Sequence, residues 1–113
     1  MAHSLTALEL AIDAADKVLA LLEHVPPKYR CLAEQGQRSA TSSPLNLAEG
    51  AGRRGRARCH HYEIAYGSSR ETIALIRVLA LRKLVPHDES REALTALDRT
   101  CATTWRLLHP RRR

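Results

Sequence analysis

Four stretches in which apolar side chains return every three or four residues, separated by short breaks rich in proline or glycine, constrain this chain most strongly. In the first, Leu5, Leu8, Ile12, Ala15, Leu19 and Leu22 alternate steps of three and four and are expected to line the inner face of a helix. Thr6 with Glu9 has the spacing of a capping box, Ser4 is a rival N-cap, and Pro26-Pro27 ends the element. The second stretch, about 28–49, places Tyr29, Leu32, Gly36, Ser39 or Ala40, Ser43 and Leu47 on one face, and their small side chains permit close helix approach. Pro44 falls inside it. A kink or restart is expected there, with Ser43 as N-cap and the hydroxyls of Thr41, Ser42 and Ser43 serving the freed backbone groups.

The third stretch, about 56–83, is the longest, with Cys59, Tyr62, Tyr66, Ser69, Ile73, Ile76 and Ala80 along its inner face. A second stripe through Ile64, Leu75, Val78 and Leu79 makes it apolar over a wider arc than one neighbour covers, which points to a subunit interface. Val85-Pro86-His87 stops it. Asp88 or Ser90 then opens a fourth helix with Leu94, Leu97, Cys101, Thr104, Trp105 and Leu108 inward. The fold class is therefore all-α, a four-helix bundle in one domain over 1–113, with a basic, mobile tail at 109–113 set apart by Pro110.

The absence of Phe leaves Leu, Ile, Val and Ala to fill the core, which suits helix-on-helix packing. The net charge of +6 is uneven: residues 1–50 carry four Lys/Arg against six Asp/Glu, so the positive charge belongs to the second half. Such asymmetry suits an anionic partner, RNA or DNA, although a basic surface also serves solubility. Three cysteines at no disulfide-like or metal-like spacing, and a start with neither a basic segment nor an unbroken apolar run, suggest a reduced, cytoplasmic protein. No apolar run approaches the ~18 residues of a membrane span.

Gly50-Ala51-Gly52-Arg53-Arg54-Gly55 spells G-x-G-x-x-G, but the dinucleotide fingerprint needs a buried strand before it and an acidic residue ending a second strand. Thr41 to Glu49 contain no such strand, and Arg70 and Glu71 fall in a helical pattern. Cys59-His60-His61 cannot converge on one ion, because helical neighbours diverge by about 100° and Ile64 and Ala65 stand one turn on. Glu49 lacks a second acid or base at useful spacing, so no catalytic residue, metal or cofactor is expected. Tyr62 and Tyr66, one turn apart, could stack bases, but their positions favour packing, with phenols reaching Asn46 or Glu49 in a structural polar cluster. Arg53, Arg54, Arg56 and Arg58 crowd the start of the third helix, with Arg54 and Arg58 on one face. They read either as a phosphate-binding patch or as solvated charge paired with Glu49 and Glu63.

Residues 31–71 carry a family pattern: Leu32, Gln35 and Arg38; then Ser42, Pro44, Asn46, Ala48, Glu49 and Gly50; then Gly52 and Arg53; then Ala65, Gly67, Ser68 and Glu71. The chain resembles the four-helix-bundle family first noticed in intervening sequences of bacterial large-subunit ribosomal RNA genes. It departs from the pattern where Gly36-Gln37 stands for Leu-Arg, which removes one basic contact, and where the first helix lacks the usual aromatic positions. The resemblance implies an up-and-down antiparallel bundle that assembles into a ring, typically a homopentamer. More distantly similar proteins are accessory subunits of diversity-generating retroelements, where a basic ring engages reverse transcriptase and nucleic acid. The expected function is therefore non-enzymatic nucleic-acid binding through Arg53, Arg54, Arg56, Arg58, Arg111, Arg112 and Arg113, without strong sequence preference. The alternative is a protein–protein scaffold or accessory subunit whose basic surface serves solubility.

Overall fold

The computed structural model of the protein describes residues 2–111, with side chains described from Leu5 to Arg111. Arg112 and Arg113 lie outside the described residues. The elements are α1 (Ala2–Leu22), a 3-10 turn (Pro27–Tyr29), α2 (Arg30–Ala51), α3 (Gly55–Leu81) and α4 (His87–Leu108). The short connections force sequential neighbours to run antiparallel. Each helix packs against the one before and after it, α1 also packs against α4, and the backbones of the diagonal pairs α1/α3 and α2/α4 stay apart, joined only through core side chains. The result is an up-and-down four-helix bundle 48 × 22 × 17 Å.

Two apolar clusters fill it. Val18, Leu21, Leu22, Ile76, Leu79 and Leu97 form the larger one. Ala7, Ala11, Leu47, Tyr62 and Ala65, with Leu8, Leu107 and Leu108 against them, close the end where α1 begins and α4 stops. Each fully buried Leu, Ile or Val contributes about 1.5–3 kcal/mol relative to leaving it in water.

The inner face of α1 is not the leucine stripe. Leu5 is 63 % exposed and Ile12 49 %. The buried residues are instead Ala7, Ala11, Ala14, Val18 and Leu21, flanked by Ala15 and Leu22. Both stripes have helical period, and the one with small side chains wins because it lets the backbones come close; α2 meets α1 with Gly36, where an added Cβ would stand 2.9 Å from Leu22 Cδ1. The helix also starts at Ala2, so Thr6 and Ser4 lie within it rather than capping it.

α2 buries Gly36, Ser39, Ala40, Ser43, Leu47 and Gly50, the small-residue face expected. It does not restart at Ser43. Pro44 sits inside one continuous helix, and the nearby hydroxyls go elsewhere than to the freed Ala40 carbonyl. Thr41 Oγ1 donates to the Gln37 carbonyl at 2.8 Å. Ser43 Oγ accepts from Ser69 Oγ at 2.8 Å, one rung of a hydroxyl ladder between α2 and α3. Thr72 Oγ1 donates to Ser39 Oγ and Ser68 Oγ to Ser42 Oγ, both at 2.8 Å. Paired hydroxyls allow this seam to be tight without an unsatisfied polar atom, and no buried side-chain N or O among the described residues lacks a partner.

On α3 the buried stripe is Tyr62, Ala65, Ser69, Thr72, Ile76 and Leu79. Cys59 is fully outside the core, and Tyr66, Ile73 and Ala80 are half-buried. The arc around Ile64 and Val78 is only partly used: Leu79 is buried, Leu75 lies against the core, and Val78 is 50 % exposed. α3 ends in a Schellman turn, with the Leu84 amide donating to Leu79 O at 2.9 Å and the Lys83 amide to Ala80 O at 3.0 Å. Lys83 takes the left-handed position, φ 60°. α4 buries Ser90, Ala93, Leu97, Thr100, Cys101 and Thr104. Its threonines satisfy themselves within the helix, Thr104 Oγ1 donating to Thr100 O at 2.7 Å. Trp105 falls off this face and is half exposed.

Candidate nucleic-acid interface

The α2–α3 turn is built from the two glycines that end α2 and the one that opens α3. The Gly52 amide donates to Glu49 O at 3.2 Å and the Arg53 amide to Gly50 O at 3.0 Å, which closes α2. Gly55, at φ +57°, takes the left-handed conformation that lets the chain reverse. A side chain at Gly50 would stand 2.7 Å from Tyr62 Cε1, so the aromatic ring seals the underside of the turn.

The four arginines here have different fates. Arg58 does not point outward with Arg54. Its Nε donates to Gly50 O at 3.3 Å and Arg53 O at 2.9 Å, and Nη2 reaches Ala51 O at 3.4 Å, so it caps the C-terminus of α2. Arg53 lies one turn after Glu49 and grips it, Nε at 2.8 Å and Nη2 at 2.6 Å from Oε2. That hydrogen bond, and then the arginine's charge, hold the Glu49 carboxyl below the usual carboxylate range. The side chains of Arg54 and Arg56 are exposed and take part in no hydrogen bond or ion pair among the described residues, although the Arg54 carbonyl accepts from the Arg58 amide at 3.4 Å.

The residues expected as one polar cluster have separate partners. Asn46 Nδ2 donates to Ser42 O at 2.9 Å and its Oδ1 accepts from His61 Nδ1 at 2.9 Å, a tautomer fixed by the amide's orientation. Glu49 goes to Arg53. Tyr62 is buried beneath Gly50. Tyr66 turns to α4, its ring 5.9 Å from that of Trp105.

The topology adds Arg106, which local sequence reading missed, and brings the expected Arg111 to the same end. α1 begins, α4 ends and α2 turns into α3 at one end of the bundle, as the packing of Ala7, Leu47, Tyr62 and Leu108 requires. Arg106 and the exposed Arg111 therefore join Arg53, Arg54, Arg56 and Arg58 there, against Glu9, Glu49 and Glu63. The opposite end is mixed, with Lys28, Arg30, Arg82 and Lys83 near Glu23, Asp88 and Glu89. Between α1 and α4 lies an open groove lined by Asp13, Lys17, Arg91, Glu92, Thr95 and Arg99, whose charges of both signs are partly spent on the Asp13–Lys17 pair at 2.9 Å. Among the described residues no three His, Cys, Asp or Glu side chains gather as a metal site, and no helix is long and apolar enough to cross a membrane.

A family model, 23S rRNA-intervening sequence protein, matches residues 3–105. The chain belongs to that family. No curated protein sequence matches it. Among solved structures, a protein of unknown function from the S23 ribosomal protein family of Bacteroides thetaiotaomicron is similar at a TM-score of 0.84 and 14 % identity, covering 94 % of this chain and 97 % of that one. At that identity the likeness concerns the fold alone, which this chain and that protein share over nearly their whole length. No catalytic family is indicated for the 23S rRNA-intervening sequence proteins.

Proposed function

We propose that this family member is a non-catalytic, self-associating bundle of the cytoplasm that binds RNA or DNA through its basic end, without strong sequence preference. The observation that supports this most directly is the pair Arg54 and Arg56, whose side chains are exposed and unpaired beside Arg53 on the α2–α3 turn, next to the start of α1 and the end of α4. Guanidinium groups in that state meet phosphate without first breaking an ion pair, and phosphate contacts supply most sequence-independent affinity. Arg58 contributes by holding the turn in shape. Self-association, as the homopentamer the family resemblance implies, repeats the patch and raises the effective affinity. The exposed apolar side chains available for it include Leu5, Ile12 and Leu19 on α1, Leu45 on α2, and Ile64, Val78 and Leu81 on α3.

The test is anisotropy of a labelled oligonucleotide across a salt series. Affinity is expected to fall by an order of magnitude or more between about 50 and 200 mM salt, and Arg54→Glu/Arg56→Glu is expected to abolish binding. Absence of binding at low salt, or affinity indifferent to salt, overturns the reading. The exposed α1 stripe also favours the second reading, an accessory or scaffold role toward another protein; a partner retained after nuclease treatment and in the double-Glu variant distinguishes it.

A further inference from the structure

Trp105 is the only tryptophan of the chain. It is half exposed although a buried face lies one residue away at Thr104. The indole is nevertheless held in place. The His109 ring stacks on it, centroids 3.6 Å apart and planes 28° from parallel, and the Tyr66 ring abuts it at 5.9 Å and 49°. His109 is itself anchored just past the end of α4, where its Nδ1 donates to Trp105 O at 3.1 Å and its backbone amide donates to the same carbonyl at 2.9 Å. An exposed ring column fixed by its own fold loses little side-chain freedom when another flat group joins it.

The electrostatic surroundings select the kind of flat group. No Asp or Glu follows Asp98, whereas Arg106 and Arg111 do. Arg70, exposed, lies one turn beyond Tyr66 on α3, and Glu63 is the acidic residue nearest in that register. Tyr66 stands ten residues along α3 from Arg56, about 15 Å at the standard helical rise, so the column and the arginine turn lie along one strand-length path.

We infer that Trp105 and His109 form a stacking platform for an unpaired nucleobase, which makes single-stranded nucleic acid the preferred ligand of the basic end. This rests on the nucleic-acid reading above. A duplex keeps its bases inside and offers the platform nothing but phosphate, whereas a single strand offers both phosphate to the arginines and a base to the column.

The single tryptophan makes the test direct. Labelled oligothymidine and a duplex of equal length are titrated against the full chain, reading anisotropy and tryptophan emission together. Emission is expected to change saturably with the single strand, at the same midpoint as the anisotropy. Trp105→Ala is expected to weaken single-strand binding about tenfold or more, Trp105→Phe to retain most of it, and duplex binding to stay unchanged in both. His109→Ala gives an intermediate loss. Circular dichroism confirms helicity, and His109→Ala together with the emission change of the native chain carries the comparison should the alanine variant unfold, full single-strand affinity in His109→Ala with unaltered native emission then overturning the platform. Salt-sensitive binding with unaltered emission and undiminished affinity in Trp105→Ala overturns the platform and leaves the basic-end reading standing. Absence of any binding by the native chain overturns both. A Trp105→Ala variant that loses mass in light scattering but not oligonucleotide affinity shows a second copy on this surface instead, and also overturns the platform.

Discussion

At the scale of single residues, three positions couple local chemistry to measurable effects. Arg58 satisfies three carbonyls at the end of α2; Arg58→Ala is expected to cost about 1 kcal/mol, a melting shift of roughly 4 °C, with lysine an incomplete substitute because it lacks the planar fork. Lys83 holds a left-handed turn position that glycine occupies without strain, so Lys83→Gly should stabilise by about 0.5–1 kcal/mol in chemical denaturation. Glu49 is acidified by Arg53. A carboxyl whose value falls on folding adds stability at neutral pH, and that share is lost as pH drops below the ordinary carboxylate range and through the lowered value. Replacing it by Glu49→Gln releases Arg53, and the salt dependence of single-strand binding should steepen by about 0.7 in log–log slope, one extra phosphate contact. An unchanged slope shows that Arg53 makes no phosphate contact even when free.

At the scale of the helices, glycines separate close approach from open surface. Gly50→Ala pushes a Cβ to 2.7 Å from the buried Tyr62 ring, which cannot swing aside, and should destabilise by about 1–2 kcal/mol. Gly67 has nothing within 4 Å of an added Cβ, so Gly67→Ala in the middle of α3 should stabilise by about 0.5–1 kcal/mol through helix propensity alone. Urea midpoints of the two variants that move in the same direction contradict the assignment. The count of helices, their order and the inner face of α2 were legible in the sequence because proline and glycine punctuate the chain and the small residues repeat on one face. The inner face of α1 was not. Two stripes of equal period compete there, and size favours the leucines while helix spacing, invisible in one helix, favours Ala7, Ala11 and Ala14. Trp105 misled for the same reason: it is large and apolar, one step from the buried Thr104, and only the packing of α3 against α4 reveals that it lies outside. The arginine turn was readable as a cluster, but its division into a cap, an ion pair and two free groups depends on where the chain folds back on itself.

At the scale of the whole molecule, the apolar surface left on α1 and α3 sets the expected state in solution. Light scattering should report a mass several times 12.6 kDa, and Ile12→Glu, placed on the exposed stripe rather than in the core, should lower it to the monomer with helicity retained. A native chain that scatters as a monomer removes both the ring and the multiplied patch. The antiparallel ring of helix contacts also has a practical side. Because the start of α1 and the end of α4 close the same cap as the arginine turn, a purification tag or fusion on either terminus stands beside the surface under test and competes for it. Probes belong at the far pole, where the exposed Cys31 at the start of α2 offers a thiol distant from the arginines once the exposed Cys59 beside Arg58 is replaced by serine; a dye placed there reports tumbling of the whole assembly while leaving the basic pole bare.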